Sequence, residues 1–131
     1  MEKEIVKTPT LAPPYAPYSA GVKVKKVGTF VFISGVVPND VDGTIVFKGD
    51  IKKQMEQVLS NLKVTLEAAG ATFKDVVVLT TYVTDMRDYL ATKTDHWYLG
   101  HFNNPAETLV GIKDLANVGQ MCEVSAIAVI E

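Results

Sequence analysis

A chain of 131 residues, 47% hydrophobic and 21% charged, has the composition of a soluble globular protein with room for one hydrophobic core and not for two. Its net charge of -2, with no stretch that concentrates Lys or Arg, excludes the electrostatic footprint of a nucleic-acid binder. The single cysteine, Cys122, excludes an internal disulfide and a cysteine-built metal site.

The N-terminus, MEKEIVKTPT, carries charges with no apolar run behind them, so no signal peptide is expected. No segment reaches the length of a membrane span. One domain over residues 1–131 and a cytoplasmic setting are the expectation. Residues 8–20, TPTLAPPYAPYSA, are proline-rich and aromatic, and read as an ordered loop pressed on a surface. Residues 22–27 alternate valine with lysine, the pattern of a strand with a wet edge rather than a basic patch. Gly28-Thr29 predicts a turn, with residues 30–33 returning as the second strand of a hairpin. Ser34-Gly35 breaks that strand, Asp42-Gly43 marks another turn, and residues 44–47 read as a further short strand.

Asp50 is a good helix N-cap, because its carboxylate can accept from unpaired backbone amides. Beyond it Ile51, Met55, Val58, Leu59, Leu62, Leu66 and Ala69 share one helical face. Lys52 with Glu56 and Lys63 with Glu67 form i,i+4 pairs, and Gly70 stops the helix. Residues 76–83, VVVLTTYV, are β-branched and apolar on both faces at their start, as a central strand requires. Thr84 or Asp85 caps a second helix with Met86, Tyr89, Leu90 and Trp97 on its buried stripe and Gly100 as its stop. Strands over 108–112 and 121–130 close the order β-β-β-α-β-α-β-β, an α+β arrangement with both helices on one sheet face. Two helices cover one face only, so the other face calls for a second copy of the chain.

In the last strand Cys122, Val124, Ala126, Ala128 and Ile130 point one way, and Met121, Glu123, Ser125, Ile127 and Val129 the other. Glu123 therefore lies on a largely apolar face. It reads either as an edge carboxylate in water or as a cleft carboxylate that polarises a water molecule. Cys122 has no histidine placed to activate it, and His96 and His101 do not share a helix face, so no metal site is expected. G-x-x-x-x-G-K-[ST], G-x-G-x-x-G and G-x-S-x-G are all absent. A second carboxylate, Glu107, stands in NPAETLVGI (104–112) at the mouth of an apolar strand.

APYSAGV (16–22), VFISGVVP (31–38), GDIKKQMEQVLSNLKVTLEAAG (49–70), DVVVLTTYVTDMRDY (75–89), NPAETLVGI (104–112) and EVSAIAVIE (123–131) resemble, in order, the segments of the Rid family. That resemblance implies a chorismate-mutase-like α+β fold and a homotrimer with clefts between subunits. It implies hydrolysis of reactive 2-imino or enamine acids to 2-keto acids and ammonia, with no metal or cofactor. Tyr18 is similar to the family's cleft tyrosine, Glu123 to the carboxylate beside the attacking water, and Ser34 and Gly35 to the turn that lines the pocket. Pro105-Ala106-Glu107-Thr108 matches the P-x-R-S/T segment whose arginine grips the substrate carboxylate. Here Glu107 holds the arginine position, with Thr108 beside it. Arg87, the only arginine, is expected to face solvent from the second helix.

Two unit charges about 4 Å apart interact by about 4 kcal/mol at an effective dielectric near 20, so this exchange turns attraction for a substrate carboxylate into repulsion. One reading is a hydrolase for a neutral or cationic imine or enamine, with Glu107 paired to an amino group and Glu123 positioning water. The alternative is a non-catalytic trimer whose clefts bind a metabolite or a protein partner. A third, a nuclease or translation inhibitor, is opposed by the charge balance. Neither a nucleic acid nor a membrane is among the expected partners.

Overall fold

The computed structural model describes residues 1–131. Its main sheet has four strands in the order β3 (Thr29–Val36), β6 (Cys122–Ile130), β4 (Val76–Val83) and β5 (Ala106–Gly111). β6 runs antiparallel to both neighbours, and β4 and β5 are parallel. The expected α+β architecture is present.

Helix α1 (Ile51–Ala68) forms as its sequence dictates. The Asp50 carboxylate accepts from Lys53 N at 3.0 Å. At the other end Ala71 N donates to Leu66 O and Gly70 N to Glu67 O, a Schellman close in which Gly70 takes φ +78°. Ile51, Met55, Val58, Leu59, Leu62 and Leu66 are buried against β3 and β6, while Ala69 turns out to be exposed. Gln54 shares the buried face although it is polar. It is satisfied there: its Nε2 donates to Val46 O and Gly119 O, and its Oε1 accepts from Met121 N at 2.8 Å.

Two expected strand features are absent. Residues 22–27 and 30–33 do not form a hairpin; β2 (Val22–Lys25) pairs instead with the N-terminal β1 (Glu2–Ile5), and β3 pairs with β6. Residues 44–47 make only an isolated bridge, Asn39 to Ile45. Asp40 Oδ1 takes the amides of Asp42 and Thr44 into a tight turn, and Phe47 at φ +51° ends any extension.

The second predicted helix is two helices, α2 (Met86–Ala91), capped by Asp85, and α3 (Thr94–Leu99). Lys93 between them sits at φ +52°, which resets the helical phase. Tyr89 remains buried, Leu90 is exposed, and Thr94, Asp95, Tyr98 and Leu99 turn inward in place of the stripe a continuous helix would give. Arg87 is exposed, as expected.

Two register shifts govern which side chains face where. One extra residue at Ser34-Gly35 separates the pairs Ile33–Ala126 and Val36–Val124. Another, at Val77, lets Val76 and Leu79 both enter the core. Cys122, Val124, Ala126 and Ala128 of β6 and Leu79 and Val83 of β4 join α1 in that core. The opposite face is open and largely apolar. Phe32 on β3 is 73% exposed and Phe30 57%, their rings 6.1 Å apart, beside Val78 and Ile127.

Candidate functional site

The candidate residues fall into two groups, on opposite faces of the sheet. Glu123 pairs with Tyr82, in the row that also carries Thr80 and Val78 and faces away from the helices. Its carboxylate lies against the β3 bulge, where a Cβ added to Gly35 would meet Glu123 Oε2 at 2.4 Å. A side chain at this position would displace the Glu123 carboxylate from where it lies. Ser34 and Gly35 are exposed and border a groove of about 720 Å³ that also takes in Phe32, Asn39, Asn61 and Val64. Thr108 pairs with Thr80 and faces the same open side.

Glu107 points the other way. In the parallel ladder it pairs with Leu79, and Leu109 with Thr81, both on the helix-covered face. Ser19 holds the proline-rich loop against this strand. Its amide donates to Pro105 O at 3.0 Å, its hydroxyl to Asn104 O at 2.8 Å, and it bridges Ala106. This places Tyr15 and Tyr18 near Glu107, with their rings edge to face at 5.7 Å. Tyr18 also lines a cavity of about 660 Å³ with Ile5, Val6, Leu11 and Asn104.

Around Glu107 lie Thr81 on β4, Asp95 and Tyr98 on α3, which the sequence does not single out, and Tyr89 on α2, which it places only in the helix's buried stripe. The hydroxyls of Thr81 and Tyr98 are 3.1 Å apart. Glu107 Oε1 and Tyr89 Oη are buried and have no hydrogen-bond partner. Burial pushes the Glu107 carboxyl up to about 6; the Thr81 hydroxyl opposes the rise and Asp95 adds to it. Burial likewise raises Tyr89 and Tyr98, with the negative charge of Glu107 contributing to both. Asp95 is almost fully buried, and its carboxylate lies 3.9 Å from the ring of His96 on the same helix. The one available signal for this cluster, the i,i+3 spacing of Asp95 and Tyr98, is hidden by the unforeseen break at Lys93.

On the core side Cys122 is buried and its thiol pushed up to about 12, the state of a packed, inert thiol. No three His, Cys, Asp or Glu side chains come together as metal ligands would. No helix is long and apolar enough to cross a membrane.

These features define a mixed-sheet α+β protein whose candidate residues gather in two separate groups, one on each face of the sheet. Residues 9–130 match the family described as endoribonuclease L-PSP. The chain is 37% identical to a RutC family protein of Pyrococcus abyssi, with 98% of each chain covered. It is 30% identical, again over 98% of each chain, to the 2-iminobutanoate/2-iminopropanoate deaminase of Dermatophagoides farinae. A Yersinia pestis protein described as of unknown function in the conserved Rid family superposes with TM-score 0.85 at 30% identity, covering 99% of this chain and 100% of that one. The chain belongs to the Rid family, the endoribonuclease L-PSP proteins.

Proposed function

We propose that the protein is a Rid-type hydrolase of a reactive imine or enamine, with a specificity altered at residue 107. The observation that carries this reading is the fit of Glu123 against Gly35, which holds a carboxylate at the edge of an open groove. The deaminase name of the Dermatophagoides relative supports the reaction class.

In the reaction, water adds to the C=N carbon of the protonated imine while Glu123 takes its proton, giving a neutral carbinolamine. Glu123 returns that proton to the nitrogen, which leaves as ammonia, and the carbinol hydroxyl gives its proton back to Glu123 as the C=O bond forms. Tyr18 supplies a hydroxyl that donates to the substrate, and Ser34 and Gly35 line the pocket. Because Glu123 and Thr108 face one side of the sheet and Glu107 and Tyr18 the other, a complete cleft draws the two groups from different copies of the chain. A homotrimer with clefts between subunits accommodates this, and the exposed Phe30 and Phe32 supply a surface for such contact. A substrate carboxylate at Glu107 would meet like charge, so the end docked there is neutral or cationic.

The separation of the two groups within one chain also favours a second reading, a non-catalytic trimer that binds a metabolite or partner in its clefts. Ammonia release from freshly generated imines decides between them. The hydrolase reading expects turnover that Glu123→Gln abolishes; no turnover on neutral, cationic or acidic imines favours the binding protein.

A further inference from the structure

The cavity of about 660 Å³ between the N-terminal strand and the proline-rich loop has no part in the proposed reaction, and Tyr18 is the one residue common to both. Both of its walls are tethered. On one side β1 pairs with β2 as far as Ile5 and Val22, and Val6 N then donates to Gly21 O at 2.9 Å. On the other, Ser19 ties the loop to Pro105 O and Asn104 O, and Leu11 N donates to Thr8 O at 3.0 Å within the loop. The opening is therefore formed before any ligand arrives, as small-molecule sites usually are.

Its lining is apolar with one sign of charge. Ile5, Val6 and Leu11 are large exposed hydrophobics on it, and Pro9, Pro13 and Pro14 add rings that carry no amide donor. Lys7 is its one charged residue, exposed and in none of the ion pairs of the chain. The Thr8 and Tyr18 hydroxyls and the Asn104 amide add groups able to donate, while the Ser19 hydroxyl is already spent on Asn104 O. No aspartate or glutamate lines the cavity. A ligand ammonium would meet only like charge there, and a metal ion would find no carboxylate. A carboxylate suits a single lysine flanked by neutral donors, and an aliphatic or aryl body suits the walls.

We propose that this cavity binds an amphiphilic carboxylate, an acid whose aliphatic or aryl body lies along Ile5, Val6 and Leu11 and whose anionic end meets Lys7. The site stands apart from the hydrolase reading. Glu107, whose charge would oppose such a ligand, is not among the lining residues.

The test is a titration of the full-length protein with sodium octanoate at about pH 7.5, where the acid and Lys7 both carry charge. Binding is followed by amide chemical shifts, with sodium butyrate and n-octylammonium chloride at equal ionic strength as controls. The expected result is saturable shifts over residues 5–11, 18–20 and 104 with octanoate. Butyrate should bind at least about tenfold more weakly, because it buries fewer methylenes. Octylammonium, with the same chain and the opposite charge, should also bind more weakly than octanoate. Lys7→Gln should weaken octanoate about threefold, as befits an exposed ion pair, and Lys7→Glu should turn the preference towards octylammonium. Leu11→Ser should weaken octanoate about threefold without changing the preferred charge. Lys63→Gln, on the exposed side of α1, should leave binding unchanged. Lys7 and Leu11 are both exposed, so these variants should fold as the parent does. Absence of saturation, equal binding of octylammonium, or unaltered octanoate affinity in Lys7→Gln would overturn the assignment. Shifts confined to the open sheet face around Phe30 and Phe32 would place the acid elsewhere and overturn it too.

Discussion

Replacing Glu107 by glutamine keeps the shape of the side chain and removes a charge that burial disfavours. The carboxyl sits at about 6 in the folded protein against an ordinary 4.5, so the folded state holds its proton more tightly than the unfolded chain. Between those values the native state binds more protons, so stability falls as pH rises through them, and the whole cost is present at neutral pH. A difference of about 1.5 pH units corresponds to about 2 kcal/mol. Glu107 is only partly buried, and solvent screening reduces this to about 1 kcal/mol. Urea unfolding at about pH 8 and about pH 4 is the assay. Glu107→Gln should be more stable than the parent by about 1 kcal/mol at the higher pH, and indistinguishable from it at the lower. A variant less stable at pH 8 would show that the charge is already paired, and an equal gain at both values would assign the effect to packing; either refutes the reasoning.

Other substitutions test separate parts of the structure. Gly35→Ala puts a Cβ where Glu123 Oε2 now lies, and the flexible carboxylate can swing aside. Circular dichroism should therefore show an intact fold while ammonia release from imines falls at least tenfold. Gln54→Leu removes all three hydrogen bonds of a fully buried amide and strands Val46 O, Gly119 O and Met121 N. A loss of about 2–4 kcal/mol in urea unfolding is expected, because unmade buried hydrogen bonds retain their desolvation cost. Gly70→Ala should cost about 1 kcal/mol by the same measurement, since Gly70 holds φ +78° at the helix close. Phe32→Asp, at the most exposed point of the open sheet face, should shift the protein to a smaller species in light scattering; an unchanged mass would remove that face from the assembly contact.

Elements set by local chemistry were legible in the sequence. Helix α1 carries a cap, an apolar stripe and a glycine close in one uninterrupted stretch, and all three appear where expected except that Ala69, beyond the last helical residue, is exposed. The alternation of β6 likewise separates Val124 and Ala126 from Glu123 and Ser125 correctly. Elements that depend on remote partners were not legible. Residues 22–27 and 30–33 look like a hairpin, but the N-terminal strand competes for the first and β6 for the second. The break at Lys93 contains neither glycine nor proline, so nothing marked the change of phase that turns Asp95 and Tyr98 inward. Of the candidate residues, Glu107 and Glu123 stood out from strand patterning, and Tyr18 and the Ser34-Gly35 turn from the family resemblance alone. The ladder register, which sends Glu107 and Thr108 to opposite faces, required the strand start and the parallel pairing with β4.

The account depends most on the sign of charge at the Glu107 end of the cleft. The direct measurement is ammonia release from two matched imines, one ending in an ammonium group and the other in a carboxylate, assayed side by side with the unmodified protein and with Glu123→Gln. The account expects faster hydrolysis of the ammonium-bearing imine, lost in Glu123→Gln. Preferential hydrolysis of the carboxylate-bearing imine would contradict it.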